Sequence, residues 1–488
     1  MKNLIVVNDV PRWPIVFGND IVDAQAYLTD LIYANPEPVR IYNLCDSYSY
    51  QRLGYYVSLL AEARGHKPIP RARTMEDLRA PGVVRLLTET LDELVQHAFR
   101  DNAIEPVEWD FYFGLRPGYS EDVLGQQLFQ LLKAPLLRIQ FECTGKRWQI
   151  SKACALAMGE LNEPETTKVF AAAEQFFIGR NGRGGKHIAS RYDIAILHDP
   201  DDAHPPSNPS ALQKFSEAAD TLGMHAEFIG RADYGRLSEF DGLFIRDTTR
   251  VNHYTYRFAR QAAAEGLVVI DDPDSILKCS NKVYLAELLA QRSIPAPKTL
   301  VVHRANLDQV FPALGTPCIV KQPDSAFSAG VTKVATQDEL ESKAAELLAL
   351  SDLFIAQEYL PTDFDWRVGV LDGRVLYVAK YFMAPGHWQI IKRNATQQLQ
   401  EGATAALSIG EAPDEVIQQA LRAANCIGDG LYGVDVKQAG GMCYVIEIND
   451  NPNLDAGNED GVLKDALYRE VMGVFLKRIE TRRRGLAG

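Results

Sequence analysis

Residues 431–453 (LYGVDVKQAGGMCYVIEINDNPN) constrain the fold of this chain more than any other stretch. Two runs of β-branched and aromatic residues flank a glycine pair, the pattern of a strand, a tight turn and a second strand. Strand side chains alternate faces, so Glu447 and Asn449 project to one side. Met442, Tyr444, Ile446 and Ile448 fall on the other, which suits a core. The turn decides where Asp435 points. A three-residue loop, Ala439-Gly440-Gly441, pairs Gln438 with Met442 and Asp435 with Val445, and brings Asp435 beside Glu447. An even-length loop turns Asp435 away. Two carboxylates and an amide oxygen form a hard, all-oxygen site. Such a site suits Mg²⁺, with Mn²⁺ as the alternative, because Mg²⁺ takes few protein ligands and completes its octahedron with water and phosphate oxygens.

The remaining properties narrow the class. A chain of 488 residues predicts two to four domains. Its formal net charge of −13 argues against general nucleic-acid binding. The apolar run near the N-terminus is too short for a signal peptide, and no run reaches membrane-spanning length, so no membrane partner is expected. Seven scattered cysteines without a C-x-x-C pair predict a reduced, cytoplasmic protein without structural zinc.

Three blocks follow along the chain. Residues 1–185 mix strands (4–7, 39–44, 109–113, 137–141, 147–150) with helices (50–64, 120–132), a mixed α/β domain. The run GRNGRGGK at 179–186 departs from a phosphate loop: Arg180 stands where the first glycine belongs, and His187 where Ser or Thr belongs. It reads as a basic linker or an acceptor-binding loop. Residues 190–273 alternate strands (194–197, 226–229, 243–245, 267–270) with helices (211–222, 254–265). This predicts a small parallel sheet with helices on both faces and ligand contacts in the loop at 199–209. Residues 275–488 carry the chemistry.

Four features precede the hairpin in that third block. Asn281-Lys282 opens a helical run. The strand Cys318-Ile319-Val320-Lys321 ends in a lysine before a loop of small residues at 325–330. The apolar strand at 353–360 turns polar at Gln357-Glu358-Tyr359-Leu360. Asp365-Trp366-Arg367 leads into a hairpin at 368–380, with Asp372-Gly373 at its turn.

The ordered series Lys282, Lys321, Gln357-Glu358-Tyr359, Asp365-x-Arg367, Gly433-Val434-Asp435 and Glu447-x-Asn449-x-x-Pro452 resembles an ATP-grasp ligase, most closely the RimK-like branch, which joins amino acids to carboxylates. The resemblance spans about residues 192–460. The phrase Ala61-Glu62-Ala63-Arg64-Gly65-His66-Lys67-Pro68-Ile69-Pro70 resembles the extension, of RLAN type, found ahead of some RimK-like modules. The resemblance implies an α/β, ATP-grasp fold. A Rossmann-like pre-ATP-grasp domain (190–273) and an ATP-grasp domain (275–488) of two α+β subdomains that sandwich ATP would follow the N-terminal domain (1–185).

It also implies roles. Lys282 and Lys321 meet nucleotide phosphates as positive charges. Ser325, Ser328 and Gly330 form a loop closing over them through backbone N–H groups, although Ala326-Phe327 stands where the family carries more glycine. Gln357, Glu358, Tyr359 and Leu360 form the adenine edge. Arg367, Lys380 and Lys392 stabilise phosphate and the developing oxyanion as catalytic groups. Asp435, Glu447 and Asn449 hold the metal. Asn453 and Trp388 border the substrates. The implied activity is an ATP-dependent ligase that joins a small-molecule carboxylate to an amino-acid amine through an acyl phosphate, in a homo-oligomer. The alternatives are a ligase adding glutamate or a similar residue to a protein tail, and a non-catalytic ATP-binding scaffold.

Overall fold

The computed structural model describes residues 2–14, 20–34, 39–80, 82, 84, 88, 91–100, 105–145, 147–183, 190–324, 330–393 and 399–486. The chain divides into two compact units. One holds Met1–Tyr192 with Tyr234–Arg236 and Glu480–Gly488; the other holds Asp193–Asp233 and Leu237–Ile479.

In the first unit, β1 (Lys2–Val7), β2 (Asp20–Asp23), β3 (Val39–Asn43) and β4 (Lys67–Ile69) form a parallel sheet in the order β2-β1-β3-β4. The helix Leu53–Ala63 returns the chain from β3 to β4, and Gly65 ends it with a positive φ of 74°. A second, antiparallel sheet comprises β5 (Val107–Tyr112), β6 (Leu136–Thr144) and β7 (Arg147–Ala155). The helix Val123–Leu132 buries Leu124, Leu128 and Leu132, one face at four-residue spacing, in the core it shares with Phe111 and Phe141. The helix Glu163–Arg183 corrects one expectation: the basic run begins inside it, so Gly179 to Arg183 are helical rather than a linker loop. Residues 184–186 of that run lie outside the described residues.

The second unit contains three larger sheets. β8 (Tyr192–Leu197), β9 (Met224–Ile229), β10 (Gly242–Ile245) and β11 (Val268–Ile270) stand in the order β11-β10-β8-β9, parallel at both edges of β10. The helices Pro209–Thr221 and Tyr254–Ala264 connect them. Every residue of β10 is buried, as a strand covered on both faces requires. The boundary expected between 273 and 275 falls inside this unit, at the start of the helix Pro273–Ser280.

An antiparallel sheet follows, β12 (Thr299–Val302), β13 (Cys318–Lys321), β14 (Val331–Val334) and β15 (Phe354–Glu358), in the order β12-β15-β13-β14. The last sheet draws on β16 (Phe364–Leu371), β17 (Arg374–Phe382), β20 (Thr404–Leu407), β21 (Leu431–Ala439) and β22 (Met442–Asn449), in the order β20-β17-β16-β21-β22. The short pair β18 (Ile391–Arg393) and β19 (Leu399–Glu401) stands apart from it. The helix Asp414–Ile427 presents Val416, Ala420, Ala423, Ala424 and Ile427, a three-four spacing, to Val368, Val370, Val434 and Val445 on that sheet. Small alanines on this face let the helix axis approach closely. The opposite face of the sheet is thereby left for chemistry.

Candidate active site

The turn of the β21–β22 hairpin has two residues rather than three. Ala439 pairs with Met442, and Gly440 and Gly441 take the positive φ angles (58° and 79°) of a primed turn. An even turn alone would send Asp435 away from Glu447. A β-bulge reverses that outcome: Val436 faces Val445, yet Asp435 faces Glu447, so Ile446 is the extra residue. The bulge also corrects the expected core face. Cys443 and Val445 are fully buried before it and Ile448 after it, whereas Met442 is 53% exposed. Of the four residues assigned to the core side, Ile448 alone packs in the core. Ile446 instead lines the same cavity as Glu447.

Charges converge around this bulge. Arg367 stands opposite Asp435 in the β16–β21 register and grips it in a fork, Nε to Oδ1 at 2.5 Å and Nη2 to Oδ2 at 3.0 Å. Gly433 makes room for the guanidinium: a Cβ there would lie 2.7 Å from the Pro452 ring and 3.1 Å from Arg367 Cδ. Asn449 Nδ2 donates to the Gly433 carbonyl at 3.3 Å and approaches Asp435 Oδ2 at 3.4 Å. Lys282 Nζ lies 2.8 Å from Glu447 Oε1. Lys282 begins the helix Lys282–Gln291, whose N-terminus Asn281 caps by accepting from the Val283 and Tyr284 amides.

The titration of these groups follows from burial and neighbours. Burial pushes the Asp435 carboxyl up, against the pull of Arg367. Burial also pushes Glu447 up, but Lys282, Lys321 and Arg367 outweigh it and hold Glu447 below its ordinary value. Burial lowers the Lys321 ammonium to about 8; Glu447 opposes this, and the Lys282 and Lys437 charges add to it. Lys321 Nζ donates to Gln357 Oε1 at 2.7 Å, and Gln357 Nε2 to Thr299 Oγ1 at 3.0 Å.

The charged side chains among them, with Asn449 and Gln357, line one cavity of about 740 Å³, within the usual range for small-molecule sites. The strand edge Gln357, Glu358, Tyr359 and Leu360 forms one border of it. Glu358 is partly committed, because its Oε1 accepts the Lys298 amide at 2.7 Å while its own amide donates to the Lys298 carbonyl at 2.9 Å. Trp388 lines the cavity and meets Tyr359 edge-on at 5.9 Å, with Lys333 Nζ 4.8 Å from the Tyr359 ring centre.

Other expected residues stand elsewhere. Lys380 is opposite Trp366 in the β16–β17 register, so it occupies the face away from Arg367. Its ammonium lies over Phe364 (4.4 Å) and Trp366 (4.8 Å), and it does not line the cavity. This placement corrects its catalytic assignment. Lys392, on β18, is likewise absent from the lining, although Ile391 contributes to it. Ser325 and Ser328 lie outside the described residues. Gly330 closes the loop from β13 to β14 with φ 70°, its carbonyl accepting from the Gln322 amide at 3.1 Å.

Several cavity residues have no local signature in the sequence. Lys437 donates to Asp365 Oδ1 at 2.5 Å and to Thr362 Oγ1 at 2.6 Å. Tyr381 donates to Glu459, and the Arg367 guanidinium lies 4.7 Å from the Tyr381 ring centre. Arg250 enters from the loop after β10. The odd positions 365 and 367 on one side of β16 were the available clue to Tyr381, their cross-strand neighbour.

The donor set suits a hard divalent ion. Among the described residues no three His, Cys, Asp or Glu side chains gather as a metal group, so an ion here would draw on two carboxylates and the Asn449 amide oxygen. Arg367 and Lys282 leave further lone pairs on both carboxylates.

Two family models match this chain. Residues 24–172 match the RimK-like ATPgrasp N-terminal domain, and residues 279–464 match the RimK-like ATP-grasp domain. The fold and site therefore define an ATP-grasp ligase. Within that class the chain carries a RimK-like ATP-grasp domain, with an RLAN domain ahead of it. Among curated proteins, a probable alpha-L-glutamate ligase of Alcanivorax borkumensis is 25% identical over 248 residues, which is 50% of this chain and 77% of that protein. Another, from Stutzerimonas stutzeri, is 26% identical over the same length and shares. A solved RimK domain protein of Sphaerobacter thermophilus superposes with a TM-score of 0.44 at 16% identity, covering 58% of this chain and 98% of that one. No helix among the described residues is long and apolar enough to cross a membrane.

Proposed function

We propose that this enzyme joins an amino-acid amine to a carboxylate at the expense of ATP, through an acyl phosphate. One observation carries the reading: Asp435, Glu447 and Asn449 meet Arg367 and Lys282 in a cavity whose other wall presents Lys321 and the strand edge at Gln357. A carboxylate is a poor electrophile, and phosphorylation gives it a leaving group. One substrate carboxylate oxygen attacks the γ-phosphorus and ADP departs. The amine, as its free base, then attacks the acyl carbon, and phosphate leaves with the oxygen that the carboxylate contributed.

The chain's own residues would position and neutralise. Lys282 and Lys321 would hold the phosphate oxygens, and Arg367, fixed by Asp435, would face the charge that develops during transfer. The edge Gln357 to Leu360 would read adenine through its backbone, with Ile446 as an apolar surface against the base. Asp435, Glu447 and Asn449 would hold Mg²⁺, which supplies charge neutralisation between the phosphates when bound. Trp388, packed on Tyr359, would exclude water from the acyl phosphate.

The test is Mg-ATP-dependent phosphate release across a matrix of amino acids and small carboxylic acids, with mass spectrometry of every active well. The names of the curated relatives make L-glutamate the first amine to try. A product equal to acid plus amine minus water is the expected result. ATP binding without turnover in any well would overturn the small-molecule reading and direct the search to a protein tail.

A further inference from the structure

The parallel sheet reverses its winding at β8, with β9 on one side of it and β10 on the other. Open parallel sheets bind ligands in the crevice beyond the carboxyl ends of the strands at such a reversal. The loops leaving β8 and β10 deliver Pro206 and residues 248–252 to the wall of the cavity. Both loops are firmly held. Arg246, fully buried, donates to Ser207 Oγ (3.0 Å), Asn451 Oδ1 (2.7 Å) and the carbonyls of Pro206 (2.5 Å) and Pro452 (2.8 Å). Asn451 Nδ2 donates to the Asp247 carbonyl at 2.7 Å, Thr248 Oγ1 to Asp202 Oδ2 at 2.8 Å, and the His253 amide to the Arg250 carbonyl at 3.1 Å. Arg250 thus rides on a fixed backbone.

The cations of the cavity differ in one respect. Lys282 is paired with Glu447, Arg367 with Asp435 and Lys437 with Asp365, and Lys321 donates to Gln357. Arg250 is exposed in the cavity, and among the described residues its side chain has no hydrogen bond or ion pair. A guanidinium on a rigid loop, at a ligand-binding crevice and without a protein acceptor, is suited to a planar anion that it can grip with two parallel N–H bonds. In the reading above the phosphates have cations of their own, Lys282, Lys321 and Arg367.

We infer that Arg250 binds a non-reacting carboxylate of a substrate seated in this crevice, an inference that rests on the ligase reading above. That carboxylate has two sources: the α-carboxylate of the incoming amino acid, or a second carboxylate on the acid. A substrate pair lacking both would leave Arg250 without a ligand.

The acid–amine matrix, run in parallel on the wild type, Arg250→Ala and Arg250→Lys, tests this. In the wild type, every productive pair should contain a non-reacting carboxylate. Arg250→Ala should raise KM for the partner that carries it by at least ~10-fold, the scale of a hydrogen bond to a charged group. KM for ATP should stay within about twofold, and Arg250→Lys should recover part of the loss because it restores charge without the fork. Replacing that carboxylate by a carboxamide should raise KM in the wild type and leave it insensitive to Arg250→Ala. The partner showing this coupling identifies the source. A productive pair without a non-reacting carboxylate, an unchanged KM for both partners, or a defect confined to KM for ATP would each overturn the inference. Failure of the wild type to ligate any pair while binding ATP would instead overturn the small-molecule ligase reading, and this subsite with it.

Discussion

The two antiparallel sheets that border the cavity treat charge in opposite ways. The five-stranded sheet sets its charges as tight internal pairs, Arg367 with Asp435 across neighbouring strands and Lys437 with Asp365. The four-stranded sheet presents Lys321 on a neutral amide, and its neighbouring strand edge carries Gln357 and Glu358. A paired charge is oriented before any ligand arrives and changes little on binding. A buried lysine against an amide stays poised to gain an anion. The first arrangement suits phosphate transfer, which requires preorganised charge; the second suits nucleotide capture.

Four substitutions test that contrast, beginning with the largest effect. Asp435→Asn should abolish turnover and also destabilise the fold by about 3 kcal/mol, because it leaves the buried Arg367 without its counter-charge. Urea unfolding beside steady-state assays would detect both losses, and full stability in this variant would contradict the rigid pairing. Glu447→Gln should lower turnover at least ~10²-fold. Glu447 is less enclosed, so its unfolding midpoint should move far less than that of Asp435→Asn.

Lys321→Met should weaken ATP binding chiefly through KM, and its effect depends on pH. Burial holds the Lys321 pKa at about 8. As pH rises through that value the unliganded protein loses this cation, so ATP affinity should fall. Binding at about pH 9 should take up a proton, which calorimetry in buffers of different ionisation enthalpy would register. The stability sign is opposite to that of a gained ion pair. Folding lowers this lysine's pKa, so its charge costs stability below about pH 8, and the cost fades as pH rises toward the ordinary lysine range. Lys321→Met should therefore stabilise the protein more at pH 7 than at pH 10, by thermal unfolding. Lys380→Met is the smallest change. It should cost about 0.5–1 kcal/mol of stability through its lost aromatic contacts and leave turnover near the wild-type value. A severe turnover defect there would show that Lys380 reaches the cavity after all.

The sequence disclosed these two sheets unequally. The strand ending at Lys321 was legible to the residue, because an apolar run between polar neighbours has one reading. The alternating strands and helices from 192 to 270 were equally plain. The bulge at Ile446 was hidden, since apolar residues stand at 444, 445, 446 and 448 and mark neither face. Asp435 came beside Glu447 as expected, but through a two-residue turn and a bulge rather than a three-residue loop. Lys380 misled because a lysine two residues from a cavity-lining tyrosine and one on the opposite face look alike until strand pairing is known. Arg246 acquires its meaning from loops distant in sequence, those at Pro206 and at Asn451.

The most direct test follows one oxygen atom. A productive acid is supplied with both carboxylate oxygens labelled by a heavy isotope, and the released phosphate is analysed by mass spectrometry. Attack by the carboxylate on the γ-phosphorus predicts phosphate carrying one labelled oxygen, formed only when acid, amine and ATP are all present. Unlabelled phosphate alongside a ligated product, or label appearing in a nucleoside monophosphate, would contradict the acyl-phosphate route.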